Sequence, residues 1–321
     1  METRKIQRVG GSTFTVSLPK DWARKQGLES GEEVRLYTHR DGSLIVRGRQ
    51  ADGGRLQSIS RSLPDRTPET VERAIRSAYE AGFERITLVA ETAITDEQSR
   101  AARSVARGLV GMDIVESGDE AVVVRAMLDP SAVSIRQSIE QAVSIVSSML
   151  RTTIDGLADD AAVASHVSDR RPDVDRLLAL IRRHYNRSLV SFGELDSLGV
   201  DRVALSRHHR TANRIERSAT ATIHLATVLD DVTLSARQCD AVADRLNSYR
   251  SALEHATKHV SDAHDGAVIP ADESARQPVA NPSEGEASLA RIDDALDRLD
   301  DHVRAIERIS AQPSVTGDTD P

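Results

Sequence analysis

RKIQRVGGSTFTVSLPKDWARKQGLESGEEVRLYTHRDGSLIVRG, residues 4–48, is the stretch that decides how this chain is read. A short basic strand ends at Gly10-Gly11. A second strand then alternates strictly, with Phe14, Val16 and Leu18 on one face and Thr13, Thr15 and Ser17 on the other. Leu18-Pro19-Lys20 opens one or two helical turns, because the N–H that proline lacks has no partner at a first helical position anyway. Gly27 and the Glu29-Ser30-Gly31 turn end that helix. Glu33 to Tyr37 and Leu44 to Arg47 read as two more strands, joined at Arg40-Asp41-Gly42, whose Asp-Gly is a hairpin signal. A module of this size buries too little surface to hold a core alone.

Charge divides the chain in two. Residues 1–50 carry ten Lys and Arg against six Asp and Glu, a net of +4, while the whole chain is −8. The remainder is therefore −12, so a basic end sits on an acidic body, as phosphate contact through one end requires. Only four lysines occur (Lys5, Lys20, Lys25, Lys258) among 42 basic residues, and the acids total 50. An acidic, Asp-rich, Lys-poor surface resembles cytoplasmic proteins of salt-accumulating archaea; a high-GC bacterial genome is the alternative source of such a bias. In a salty cytosol phosphate attraction is heavily screened, and affinity leans on shape, hydrogen bonds and dimerisation.

The run over residues 4–48 resembles the AbrB-like swapped-hairpin DNA-binding domain, also called SpoVT/AbrB or MazE-like, most specifically at Ser17-Leu18-Pro19-Lys20. The resemblance implies a homodimer in which two chains exchange hairpins to close one β-barrel that grips promoter DNA. The residues expected at that DNA are Arg4, Lys5, Arg8, Gly10, Gly11, Thr13, Thr15, Lys20, Arg24 and Lys25. Arg8, beside the turn, is expected to read a base edge, and Lys20 and Lys25 to contact phosphate.

The expected fold is multidomain α+β. A linker over 51–68, rich in Gly, Ser and Arg, leads into a small α/β unit over 69–128 of order αβαββ. Its helices run from Glu69 to Ala81 and from Thr95 to about Gly108, and its strands cover Arg85 to Ala90, Asp113 to Glu116 and Ala121 to Met127. No glycine-rich phosphate loop is present, so this unit is assigned a packing or coupling role. Residues 131–265 then show apolar stripes spaced by three and four. They run through Ile139 to Leu157, Val174 to Leu195 (with Leu189 included), Ala212 to Leu229 and Val242 to Val260, as an antiparallel bundle needs. An acidic, Pro-rich linker (266–285) precedes one more amphipathic helix (286–310), which either closes the bundle or pairs with another chain. A disordered tail is expected over 311–321.

The helical half resembles the PhoU family, regulators of phosphate uptake. The match runs through Ser144-Ile145-Val146-Ser147-Ser148-Met149, Asp173-Val174-Asp175-Arg176-Leu177 and Arg214-Ile215-Glu216-Arg217. Together with the N-terminal match it looks like archaeal proteins of that architecture. The family's metal motif pairs acids at i and i+4, one helix face sharing a cation. Here Arg171 stands before Asp175, and Thr220 follows Glu216. Asp173, Asp175 and Glu216 are left flanking the apolar stripes, and no metal ligand is assigned.

Other candidates are set aside. His255, His259 and Asp262 lie on the solvent side of their stripe, and His208-His209, being adjacent, point to different faces. Cys239 is alone, which excludes a disulfide within the chain. No catalytic arrangement and no cofactor motif is apparent, so no enzyme is expected. No apolar run is long enough to span a bilayer, and the expected location is the cytoplasm. The functional expectation is a dimeric transcriptional regulator of phosphate uptake. The alternatives are a signalling adaptor that binds a phosphate transporter subunit or a sensor through the bundle, with the N-terminal barrel used only for dimerisation, and an antitoxin-like module that neutralises a partner.

Overall fold

The computed structural model describes residues 3–11, 13–38, 42–48, 53–64, 67–159, 162–261 and 286–312. The Pro-rich linker over 266–285, Asp262, and residues 313–321 of the expected tail lie outside them, as do Arg40 and Asp41 of the hairpin. The fold is mixed α+β, with a small β-rich N-terminal region and a long helical C-terminal one.

Two hairpins form the N-terminal region. Strands β1 (Gln7–Val9) and β2 (Thr13–Thr15) pair antiparallel, with Gln7 opposite Thr15, Arg8 opposite Phe14 and Val9 opposite Thr13. Gly10 takes a φ of 67° at their turn, a value that costs an L side chain strain. Helix α1 (Lys20–Lys25) follows Pro19, then β3 (Arg35–Thr38) and β4 (Leu44–Arg47) pair with Leu36 opposite Val46. The two hairpins are separate two-stranded sheets, so the described residues of one chain make no closed barrel; the expected barrel needs the hairpins of a second chain. The reason is size: two hairpins and six helical residues cannot surround a core.

The middle of the chain is a two-layer α/β unit. Its sheet has the order β5-β6-β8-β7, from β5 (Ser58–Leu63), β6 (Arg85–Ala90), β7 (Met112–Ser117) and β8 (Ala121–Ala126). Strand β5 lies in the stretch 51–68 assigned to a linker, which is a correction. Its alternate Ser58, Ser60 and Ser62 resemble linker composition, yet they are the exposed half of a parallel edge strand whose Leu63 is buried. Helices α2 (Pro68–Glu80) and α3 (Asp96–Gly108) cover the sheet with Val71, Ile75, Tyr79, Ala102 and Val105 against Ile86, Leu88, Val122 and Val124. Thr95 and Gln98 form a reciprocal capping box that starts α3.

The helical region holds α4 (Ile135–Asp159), the short α5 (Ala164–Ser168), α6 (Arg171–Ser188), α7 (Phe192–Leu198), α8 (Arg202–Asp230), α9 (Ala236–Ser261) and α10 (Glu286–Ser310). One apolar core runs through Ile139, Met149, Leu178, Ile181, Ile215, Leu225, Leu246, Leu253, Leu296 and Leu299. Helix α10 contributes Leu289 to Ile306 to this core and packs on α8 and α9, so it closes the bundle within the chain. The stripe expected to run on through Leu189 breaks instead. Helix α6 ends at Ser188, Leu189 is 63 % exposed, and the chain turns before α7. None of the described helices is long and apolar enough to cross a membrane.

Helix α6 serves both cores. Ala179 packs into the α/β unit while Leu178 and Ile181 pack into the bundle. Beyond it, three polar side chains close the open end of α2. Arg183 Nη1 donates to the carbonyls of Tyr79 (3.0 Å) and Phe83 (2.8 Å), Asn186 to Glu80 O (2.8 Å), and Arg187 Nη1 to Gly82 O (2.9 Å). Cations suit the negative end of a helix, where the Tyr79 carbonyl also accepts from Gly82 N at 2.9 Å. Burial pushes Arg183 down to about 10, which still leaves it charged at neutral pH over the Tyr79 ring, 4.8 Å away.

Candidate nucleic-acid interface

All ten residues assigned to DNA contact are exposed, but they fall on different surfaces. Directly opposed residues in an antiparallel pair share one face. Thr13 and Thr15 therefore stand beside Val9 and Gln7, while Arg8 stands beside Phe14 on the other face. The sequence placed Phe14, Val16 and Leu18 on one side and the threonines on the other; it gave no register for Arg8, and the pairing puts it with the apolar set. Arg8 Nη2 donates to Gly11 O at 2.9 Å, which folds the guanidinium over the turn. Arg4 and Lys5 precede β1.

Lys20, Arg24 and Lys25 ride on α1, with Arg24 and Lys25 in its last turn. The helix begins on Pro19, whose carbonyl accepts from Ala23 N at 3.0 Å. It ends where Gly27, at φ 65°, lets Leu28 N reach back to Ala23 O at 2.9 Å. The cations thus occupy a short, firmly bounded helix beside a hairpin that carries others, within a segment of net positive charge.

The same segment exposes apolar side chains. Ile6, Val9, Phe14, Val16, Leu18, Leu36 and Leu44 are all open to solvent, Phe14 by 73 %. So much exposed apolar surface on so few residues marks a surface made to be covered. Gly48 is buried, and a side chain there would meet Gln26 Cβ at 3.3 Å, so the end of β4 lies against the end of α1. Arg47 joins the region to the helices. Its Nη2 donates to Val190 O (3.2 Å) and its guanidinium lies 4.9 Å over the Phe192 ring, which Arg202 covers at 5.2 Å. Arg47 carried no assignment in the sequence reading, because its acceptor lies 143 residues away.

Residues 7–51 match the family described as "Antidote-toxin recognition MazE, bacterial antitoxin". They form a MazE/AbrB-like domain. No curated protein and no solved structure matches the chain. The MazE-like domain is compatible with a DNA-binding regulatory role.

The remaining candidates lie in the helices. Arg171, Asp175, Glu216 and Thr220 come together: Arg171 Nε donates to Asp175 Oδ1 (2.7 Å) and Nη1 to Thr220 Oγ1 (2.6 Å), with Nη2 3.7 Å from Glu216 Oε1. A guanidinium therefore lies between the two carboxylates that would share a cation, and this residue set does not fit a metal ion. Asp173 points elsewhere, to Arg170 at 3.4 Å. Among the described residues no group of three or more His, Cys, Asp or Glu is placed to hold a metal. His255 is exposed, as expected of a solvent face; His259's side chain and Asp262 lie outside the described residues. His209 stacks on Tyr185 with centroids 4.0 Å apart, and Cys239 is half-buried on α9.

His208 is buried, and burial, with smaller help from Arg136 and Arg207 against Asp201, pushes it down to about 4. Neither of its ring nitrogens has a hydrogen-bond partner. Glu194 is buried as well. Burial raises its proton affinity, but His184 Nδ1 (2.5 Å) and Arg187 Nε (2.8 Å) both donate to it and hold the carboxyl below the usual range. Glu194 thereby ties α6 to α7, two residues along from the Phe192 ring that Arg47 covers.

Proposed function

We propose that this chain is a dimeric DNA-binding transcriptional regulator whose helical region senses a signal or a partner. The observation that carries the reading is one segment, MazE-like in sequence, with exposed cations and an exposed apolar face together. A second copy would cover the apolar face and close the barrel by exchanging hairpins. The two-fold axis would then duplicate Lys20, Arg24 and Lys25 with Arg4, Lys5 and Arg8, giving a broad basic surface. A signal that binds the helices differently in two states would bias how the two DNA-binding segments are held. Arg47 against α7, and α7 against α6 through Glu194, form the physical connection. Control of phosphate uptake is the finer reading, and it rests on the resemblance of the helical half to PhoU proteins.

The test is a fluorescence titration of the full chain on promoter and random duplexes across a salt series. Lys25→Ala should reduce the slope of log affinity against log salt by about 0.9 per lost phosphate contact. Arg8→Ala should cost roughly 1–3 kcal/mol at one base position if it reads a base edge. Unchanged affinity and slope for both variants would remove this surface from consideration. The description of the matching family favours a second reading, an antitoxin-like module; co-purification of the chain with a small toxin, without salt-dependent duplex binding, would select it.

A further inference from the structure

We propose that the cavity between α4, α6 and the α/β unit binds a small organic monoanion, a carboxylate on an apolar body. The cavity measures about 520 Å³, within the roughly 300–1,000 Å³ usual for small-molecule sites. Its floor is apolar and incompletely covered. Ile145, Leu177 and Leu180 keep 8 %, 9 % and 5 % exposure, while their neighbours Ile139, Leu178 and Ile181 keep none. Val110 and Leu128 of the α/β unit form the opposite wall.

The rim decides the charge. Arg170 and Asp173, both on the rim, pair with each other at 3.4 Å and offset. Asp175, close in sequence, is taken by Arg171. Arg176 is left with no hydrogen bond or ion pair among the described residues. Its charge reaches the Tyr79 hydroxyl, which donates to Val110 O at 2.9 Å on the far wall, so the cation stands toward the cavity. The side-chain amides of Gln137 and Gln141 complete a rim able to donate to a carboxylate. A neutral lipid would leave Arg176 unanswered, and inorganic phosphate would leave the floor bare.

The site spans the joint between the bundle and the α/β unit, so an occupant would bear on both. That such an anion acts as an effector rests on the DNA-binding reading; that it binds does not. Calorimetric titration of the full chain with sodium octanoate should show one saturable site per chain, with no binding of 1-octanol or of inorganic phosphate. Arg176→Gln should weaken octanoate at least tenfold, and Gln141→Trp, which fills the cavity from an exposed helix position, should abolish it. Absence of saturable heat, equal affinity for the alcohol or for phosphate, or an unchanged affinity in both variants would overturn the proposal. Duplex binding is then measured with and without octanoate. A chain that binds octanoate but no DNA defeats only the regulator reading; a chain that binds DNA but no octanoate defeats only this one.

Discussion

The N-terminal segment and the helical region are opposites in how they treat apolar surface. The helical region hides Ile139, Met149, Leu178, Ile181, Ile215 and Leu225 completely, within one chain. The N-terminal segment leaves Phe14, Leu36 and Leu44 in solvent and splits its strands into two unconnected hairpins. The difference teaches that the chain is self-sufficient at one end and incomplete at the other. An incomplete end depends on protein concentration for its fold; a self-sufficient end does not.

The most severe way to break this comparison is Phe14→Glu. Burying a Phe side chain is worth about 1.5–3 kcal/mol, so losing it from both copies should cost about 3–6 kcal/mol of dimer. Sedimentation of the full chain should show a dissociation constant raised about a hundredfold or more; an unchanged one would mean that the apolar face is not the dimer contact. Next in size is Ile181→Ala, which should lower thermal stability by about 2–5 kcal/mol without altering that dissociation constant. A change in dimerisation would show that the two ends are not independent.

His208 gives a smaller, pH-dependent effect. The unfolded chain takes up its proton near 6.5, the folded one only near 4. Between those values the unfolded state binds more protons, so stability falls as pH drops through that window, by about 3 kcal/mol in all. Urea midpoints from pH 7 to pH 4 should lose part of this slope in His208→Leu, which removes no hydrogen bond. Glu194, held low, acts further down: its contribution is present above the usual carboxylate range and is lost as pH falls through its own lower value. The smallest effect belongs to Leu189→Ser, which should leave stability within about 0.5 kcal/mol. A larger loss would mean that Leu189 is covered in the assembly.

Much of this fold was legible because its signals are local. Alternation found β2, proline and glycine bounded α1, Thr95 marked the start of α3, and three-four spacing found the long helices. What was missed depends on distance. Strand β5 carries too few apolar residues to announce itself and becomes a strand only by pairing with β6. The Leu189 stripe broke where the chain turns into α7. Of the candidate site, the sequence supplied the residues but not the register that sets Arg8 beside Phe14. The cavity was invisible in sequence, since its walls come from three separated segments.

The closure of α2 by α6 has a consequence in time. The carbonyls of Tyr79 and Phe83 are synthesised 104 and 100 residues before the Arg183 guanidinium that caps them. At about 5–20 residues per second, a growing chain carries that helix end open to water for roughly 5–20 s. The α/β unit must therefore hold itself together on its own sheet contacts during synthesis, and it acquires its final rigidity only when the bundle's second long helix arrives.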